Sequence, residues 1–208
     1  MAEGTEWSYW QLGNNANTKA TLTQLNFPTG LAIDVNGNIY IVDNRNHIVR
    51  RIDDAGIIST VAGTAETPSL DGRDDGLATN ARLCLPYGVV LDHDLTMYIS
   101  DFGANVVRRV SNTGIISTIA GIAGQHGYTS DAGARTTLLG GPAGIALDQA
   151  GNVYIADSHN HIVRMVNDAG IITTIAGVAP GSSSDGGTPG TATSTALYSP
   201  QGIAIDIR

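Results

Sequence analysis

Hydrophobic residues along the 208-residue chain gather in short β-branched runs and do not recur at helical spacing. Ile39-Tyr-Ile-Val-Asp43, Ile48-Val-Arg-Arg-Ile52 and Ile57-Ile-Ser-Thr-Val-Ala-Gly63 are each bounded by turn-forming residues, so each predicts a strand. Phe27-Pro-Thr-Gly-Leu-Ala-Ile-Asp34 precedes them as a further strand, joined to the next by the hairpin signal Asn36-Gly37. Asp53-Asp-Ala-Gly56 supplies the turn before the last run, with glycine available for a positive φ.

The same series then returns. Pro28, Pro86, Pro142 and Pro200 open equivalent blocks, at spacings of 58, 56 and 58 residues. Leu85-Pro-Tyr-Gly-Val-Val-Leu-Asp92, Gly141-Pro-Ala-Gly-Ile-Ala-Leu-Asp148 and Ser199-Pro-Gln-Gly-Ile-Ala-Ile-Asp206 repeat the first strand, and the other three strands recur behind the second and third prolines. A fixed period of this length marks a repeat architecture. Four antiparallel strands per unit, without periodic helices, predict an all-β chain of β-propeller blades.

These blocks resemble the NHL repeat, a propeller blade named for an Asn-His-Leu triplet. The triplet stands here as Asn46-His47-Ile48 and Asn160-His161-Ile162, and as Ala104-Asn105-Val106 in the middle unit. The Pro-x-Gly start, the Tyr-Ile-x-Asp strand and the arginine after the triplet also match. The resemblance spans about residues 20 to 208. It implies the propeller fold. It does not select among the family's RNA-binding, protein-binding, lyase and extracellular scaffold roles.

The repeat divides the chain into a partial blade and loop (1–24, with an outermost strand at Trp7–Leu12), blade 1 (25–82), blade 2 (83–138), blade 3 (139–197) and the first strand of a further blade (198–208). Family propellers usually close with about six blades, and closed propellers need at least four. The two orphan edge strands therefore predict partners: flanking repeats of a longer chain or other copies of itself, in a ring or a filament.

Recurring Asp43, Asp101 and Asp157 stand seven residues before Arg50, Arg108 and Arg164. One active site needs no such pair in every blade, so the pairs predict buried structural bonds. His47 and His161, with Asn105 between them, read either as metal ligands at a channel mouth or as a framework loop residue bonding the turn before the third strand. Arg45 and His159 have no counterpart in the other repeats and are binding-loop candidates.

Long segments join the blades. The first contains Asp71, Asp74 and Asp75, weak calcium candidates because Arg73 and Arg82 interrupt the ligand pattern. The third carries Ser182, Ser183, Ser184, Thr188, Thr191, Thr193, Ser194 and Thr195, a composition suited to O-linked glycans or to a plain solvated loop.

Composition narrows the function. The 11 Lys+Arg stand against 19 Asp+Glu, and the arginines sit mainly at framework positions, which argues against nucleic-acid partners. No apolar run is long enough for membrane insertion by a helix. The lone Cys84, flanked by leucines, reads as a buried thiol and provides neither an intrachain disulfide nor a cysteine metal site. No nucleophile elbow or paired glutamate acid and base is present, so no catalytic residue and no cofactor is assigned. The expectation is a non-enzymatic scaffold or interaction protein with self, protein or glycan partners. Its acidic, lysine-poor, Thr/Gly-rich character points to an extracellular or cell-surface setting, in a fibre or an ectodomain. The alternatives are a metal-dependent lyase or hydrolase on a closed propeller, or a receptor's partner-binding propeller.

Overall fold

The computed structural model describes residues 18–65, 68–71, 74–178 and 190–206. The Trp7–Leu12 strand and the glycan candidates Ser182, Ser183, Ser184 and Thr188 lie outside the described residues.

Three antiparallel sheets stand side by side in chain order, one per repeat. Blade 1 contains β1 (Thr18–Lys19), β2 (Pro28–Ile33), β3 (Ile39–Asp43), β4 (Ile48–Ile52) and β5 (Ile57–Ala62). Blade 2 contains β6 (Gly76–Leu77), β7 (Pro86–Leu91), β8 (Met97–Asp101), β9 (Val106–Val110) and β10 (Ile115–Ala120). Blade 3 contains β11 (Ala132–Gly133), β12 (Pro142–Leu147), β13 (Val153–Asp157), β14 (Ile162–Val166) and β15 (Ile171–Ala176). The proline opening β2, β7 and β12 has no N–H to donate, and each inner pair slips its register just after it.

Each blade has the four expected strands and gains a fifth. The interblade segment adds a two-residue strand to the outer edge, giving the orders β1-β5-β4-β3-β2, β6-β10-β9-β8-β7 and β11-β15-β14-β13-β12. Ile115 and Ile116 of β10, for example, pair with Leu77 and Gly76. The added strand satisfies backbone groups that an outermost strand would leave open.

The core lies between blades. Tyr40, Val42 and Val49 of blade 1 pack with Val89, Met97 and Ile99 of blade 2. Val107 and Ala120 of blade 2 pack with Ile145, Val153 and Ile155 of blade 3. Inner strands approach so closely that glycine is required. A Cβ on Gly30 would lie 2.6 Å from the Tyr87 carbonyl oxygen, one on Gly88 2.9 Å from that of Ala143, and one on Gly144 2.5 Å from that of Gln201.

Gln201 thus stands to blade 3 as Ala143 stands to blade 2, and its carbonyl accepts the Gly144 N–H at 2.8 Å. Residues 201–206 occupy the place of the expected further inner strand, and among the described residues they form no ladder. Among the described residues no second strand follows to complete a hairpin with it. The three sheets form an open arc.

Candidate functional site

The residues singled out by the repeat converge on one end of the blades, where the second strand turns into the third. Each turn is a single 3-10 turn: Asn44–Asn46, Phe102–Ala104 and Ser158–Asn160. The aspartate before it is fully buried and binds backward along its own blade. Asp43 Oδ1 accepts the Asn26 N–H, Asp101 Oδ1 that of Cys84 and Asp157 Oδ1 that of Gly140, all at 2.7 Å. These charge-assisted bonds fix the chain ahead of each inner strand.

The arginines divide their contacts. Arg50 Nε donates to Asp43 Oδ2 at 2.8 Å, with both side chains fully buried. Arg108 is 3.9 Å from Asp101 and turns to Asp74 of the interblade segment at 2.9 Å. Arg164 lies 3.5 Å from Asp131, donates to the Thr129 carbonyl at 3.2 Å and sits over the Tyr128 ring. The interblade segments therefore fold back onto the blade they lead into. Asp131, Tyr128 and Thr129 were not singled out by sequence. Their signal was an aspartate just before the short outer strand, as at Asp74 and Asp75.

Company also sets the charge state of the aspartates. Asn160 donates its amide to Asp157 at 2.8 Å, and Asn46 does so to Asp43 at 2.9 Å, while the middle blade has Ala104 instead. Burial pushes Asp157 up to about 6 and Asp101 up to about 7.

His47, Asn105 and His161 follow the turns in left-handed conformations, with φ of 58°, 58° and 60°. They reach forward to the next blade. His47 Nδ1 accepts the Leu85 N–H at 3.1 Å, Asn105 Oδ1 accepts that of Gly141 at 2.9 Å, and His161 Nδ1 accepts that of Ser199 at 3.0 Å. This corrects the expected bond to the same blade's third-strand turn: the acceptor faces outward because the left-handed residue reverses the chain. Burial holds the His47 imidazole below its ordinary value.

Arg45 and His159 lie on the exposed part of this end. The Arg45 guanidinium is 4.9 Å from the Phe27 ring centre. His159 joins an aromatic row: Tyr87 to Phe102 at 5.9 Å, Phe102 to His159 at 5.1 Å and His159 to His126 at 5.6 Å. Partial burial, with His126 and His161 nearby, lowers the His159 value.

Among the described residues, no three His, Cys, Asp or Glu side chains gather to hold a metal ion. Asp74 faces Arg108 and Arg135, Asp75 is an exposed turn residue with φ of 64°, and the Asp71 N–H bonds Ser69. Cys84 is half-buried, which corrects the buried thiol expected from its leucine neighbours, and its Sγ packs against Gly103. Thr191 and Ser194 bond each other around a 3-10 turn that includes Thr193, while Thr195 donates to the Thr191 carbonyl.

The repeated carboxylate, the left-handed acceptor and the interblade core define a class, a β-propeller built from four-stranded repeats with an added outer strand. The chain belongs to the NHL-repeat β-propeller family. The Teneurin NHL domain model matches residues 12–73, and the NHL repeat model matches residues 139–164. Teneurin-3 of Danio rerio is 31% identical over 172 residues, which is 76% of this chain and 6% of that protein. The chain thus spans about 6% of the length of the curated teneurins it matches. A Bacteroides thetaiotaomicron protein of unknown function superposes with a TM-score of 0.67 at 22% identity, over 86% of this chain and 42% of the other. Streptogramin B lyase superposes with a TM-score of 0.50 at 13% identity, over 71% of this chain and 39% of the lyase. Likeness at these identities shows the fold alone.

Proposed function

We propose that the chain is a non-enzymatic scaffold segment whose two open faces are covered by further blades of the same repeat, in a larger extracellular particle. One observation carries this reading. Leu31 and Ile33 of β2 are 64% and 63% exposed, whereas Val89 and Ile145, which follow Leu31 in the repeat, are 6% and 8% exposed. The buried pair is covered by the preceding blade; the face of β2 awaits one. Phe27, 60% exposed, enlarges this apolar surface, and contiguous apolar exposure of this kind marks an interaction face. At the other end, the Gln201 segment already begins the pattern of a next blade. Flanking repeats of a longer chain or other copies of this one satisfy the same geometry.

An extracellular setting is supported by the acidic, lysine-poor composition and by extracellular scaffolding among NHL roles. The aromatic row from Tyr87 to His126 and the loop bearing Arg45 offer contact surface for protein or glycan partners. Leu31→Arg with Ile33→Arg tests the reading in native material. The substitutions are expected to split a particle made of separate copies, or to lower the melting temperature of a longer chain by opening its blade junction, while the blades keep their β signal by circular dichroism. A particle unchanged in both mass and melting temperature would refute it. Metal analysis tests the non-enzymatic part: stoichiometric zinc or calcium would favour lyase or hydrolase chemistry instead.

A further inference from the structure

A cleft of about 710 Å³ opens between blades 2 and 3, within the roughly 300–1,000 Å³ range of small-molecule sites. Two small residues stand where the preceding repeat has large ones. Gly133 and Gly151 border the cleft, and one repeat earlier the same positions carry Leu77 and Leu95. The backbones match: φ is −63° at Leu77 and −62° at Gly133, and it is left-handed at both Leu95 (63°) and Gly151 (81°). The third repeat thus keeps the path of the chain and removes two leucine side chains.

The walls are chemically distinct. Tyr98, Arg109 and Ser117 form a cross-strand row on blade 2, since Tyr98 pairs with Arg109 and Arg109 with Ser117. Arg135 and Thr136 face them from the interblade turn, over a floor that includes Ile119 and Val153. The earlier repeat has a like row at Tyr40, Arg51 and Ser59, but Thr79 where this one has Arg135. The second cation is therefore particular to this junction. Arg135 is 71% exposed and only 3.8 Å from Asp74, whose carboxylate is already bonded by Arg108 at 2.9 Å. Its guanidinium retains donors for a ligand. Asp168 and Asn167 stand at the rim.

We propose that this cleft binds an acidic monosaccharide. Arg109 and Arg135 take the carboxylate, for which paired guanidiniums are geometrically suited. Ser117, Thr136 and the acceptor oxygens of Asp168 meet ring hydroxyls, and the apolar floor meets the C–H face of the sugar. The site lies within three blades and does not depend on how the propeller is completed.

Calorimetric titration of the whole chain with glucuronate, glucose and acetate tests the assignment. Glucuronate is expected to bind with a Kd of about 1 mM, the range that ligand efficiency allows a ligand of this size. Glucose and acetate should each bind at least about tenfold more weakly, and Arg109→Gln or Arg135→Gln should weaken glucuronate about tenfold, as expected for losing a charged hydrogen-bond donor. Gly133→Leu with Gly151→Leu, which installs the preceding repeat's own residues, should abolish binding; the left-handed φ of 81° at Gly151 makes a modest loss of melting temperature expected, and a retained β signal by circular dichroism shows that the blades persist. Equal binding of glucose would overturn the carboxylate role, and equal binding of acetate would overturn the sugar. No glucuronate binding, or full affinity in the double leucine variant, would overturn the site.

Discussion

Replacing Ala104 with Asn adds to the second blade the amide that Asn160 supplies in the third. Asp157 accepts that amide and the Gly140 N–H, and burial pushes it up to about 6. Asp101 accepts only the Cys84 N–H beside the guanidinium at 3.9 Å, and burial pushes it up to about 7. Blade 1 accommodates an asparagine there beside a side-chain-bearing neighbour: Asn26 and Asn46 stand 3.5 Å apart at the positions of Cys84 and Ala104. A hydrogen bond to a carboxylate contributes about 1.5–3 kcal/mol, and fitting the amide beside Cys84 offsets part of it, so the expected gain is on the order of 1 kcal/mol. The sign follows from linkage. A carboxyl raised above its unfolded value binds more protons when folded, so its ionised form costs stability above about pH 7, and the cost disappears as pH falls toward 4. Ala104→Asn should therefore stabilise at pH 8 and give little at pH 5. Urea unfolding at both values reads the effect as a midpoint shift of about 0.5 M at pH 8, for a slope of about 2 kcal/mol/M. Asn160→Ala should produce the opposite shift. An equal gain at both pH values, or none at pH 8, would refute the electrostatic account.

Arg108→Ala should lower the melting temperature markedly, by on the order of 3 kcal/mol of stability, because it leaves both Asp74 and the buried Asp101 without their guanidinium; metal content should not change, and equal melting of variant and parent would remove the structural role. The His47 bond to Leu85 requires a neutral Nδ1, and the folded imidazole lies below its ordinary value, so its contribution is full above about pH 6.5 and falls as the unfolded state protonates first. Melting curves between pH 5 and 8 should show this loss, and His47→Asn, the residue type of the middle blade, should flatten it. Gly88→Ala should cost about 1–3 kcal/mol through the approach of its Cβ to Ala143 and Ser100, read by thermal unfolding; a wild-type melting temperature would contradict the close-packed inner strands.

The blades were legible because their strands are β-branched runs bounded by Gly and Asn turns, and because the series recurs in register. The fifth strand was not legible, since two residues such as Gly76 and Leu77 carry no alternation. The recurrence of Asp and Arg pointed to blade 1's Asp43–Arg50 bond, but the turn of Arg108 and Arg164 toward Asp74 and Asp131 depends on how long loops fold back. The forward reach of His47 to Leu85 joins residues 38 apart, a contact set by blade packing and not by local pattern. The cleft beside Gly133 and Gly151 becomes visible only once those glycines are placed against the leucines of the preceding repeat.

The apolar face of blade 1 makes the most direct test of the account the mass of the native particle. Light scattering on native material should report an object larger than the 21.5 kDa of this chain, either a multimer or a longer polypeptide, with Leu31 and Ile33 protected from solvent. A compact, monodisperse 21.5 kDa monomer that persists at high concentration would contradict the claim that further blades cover that face.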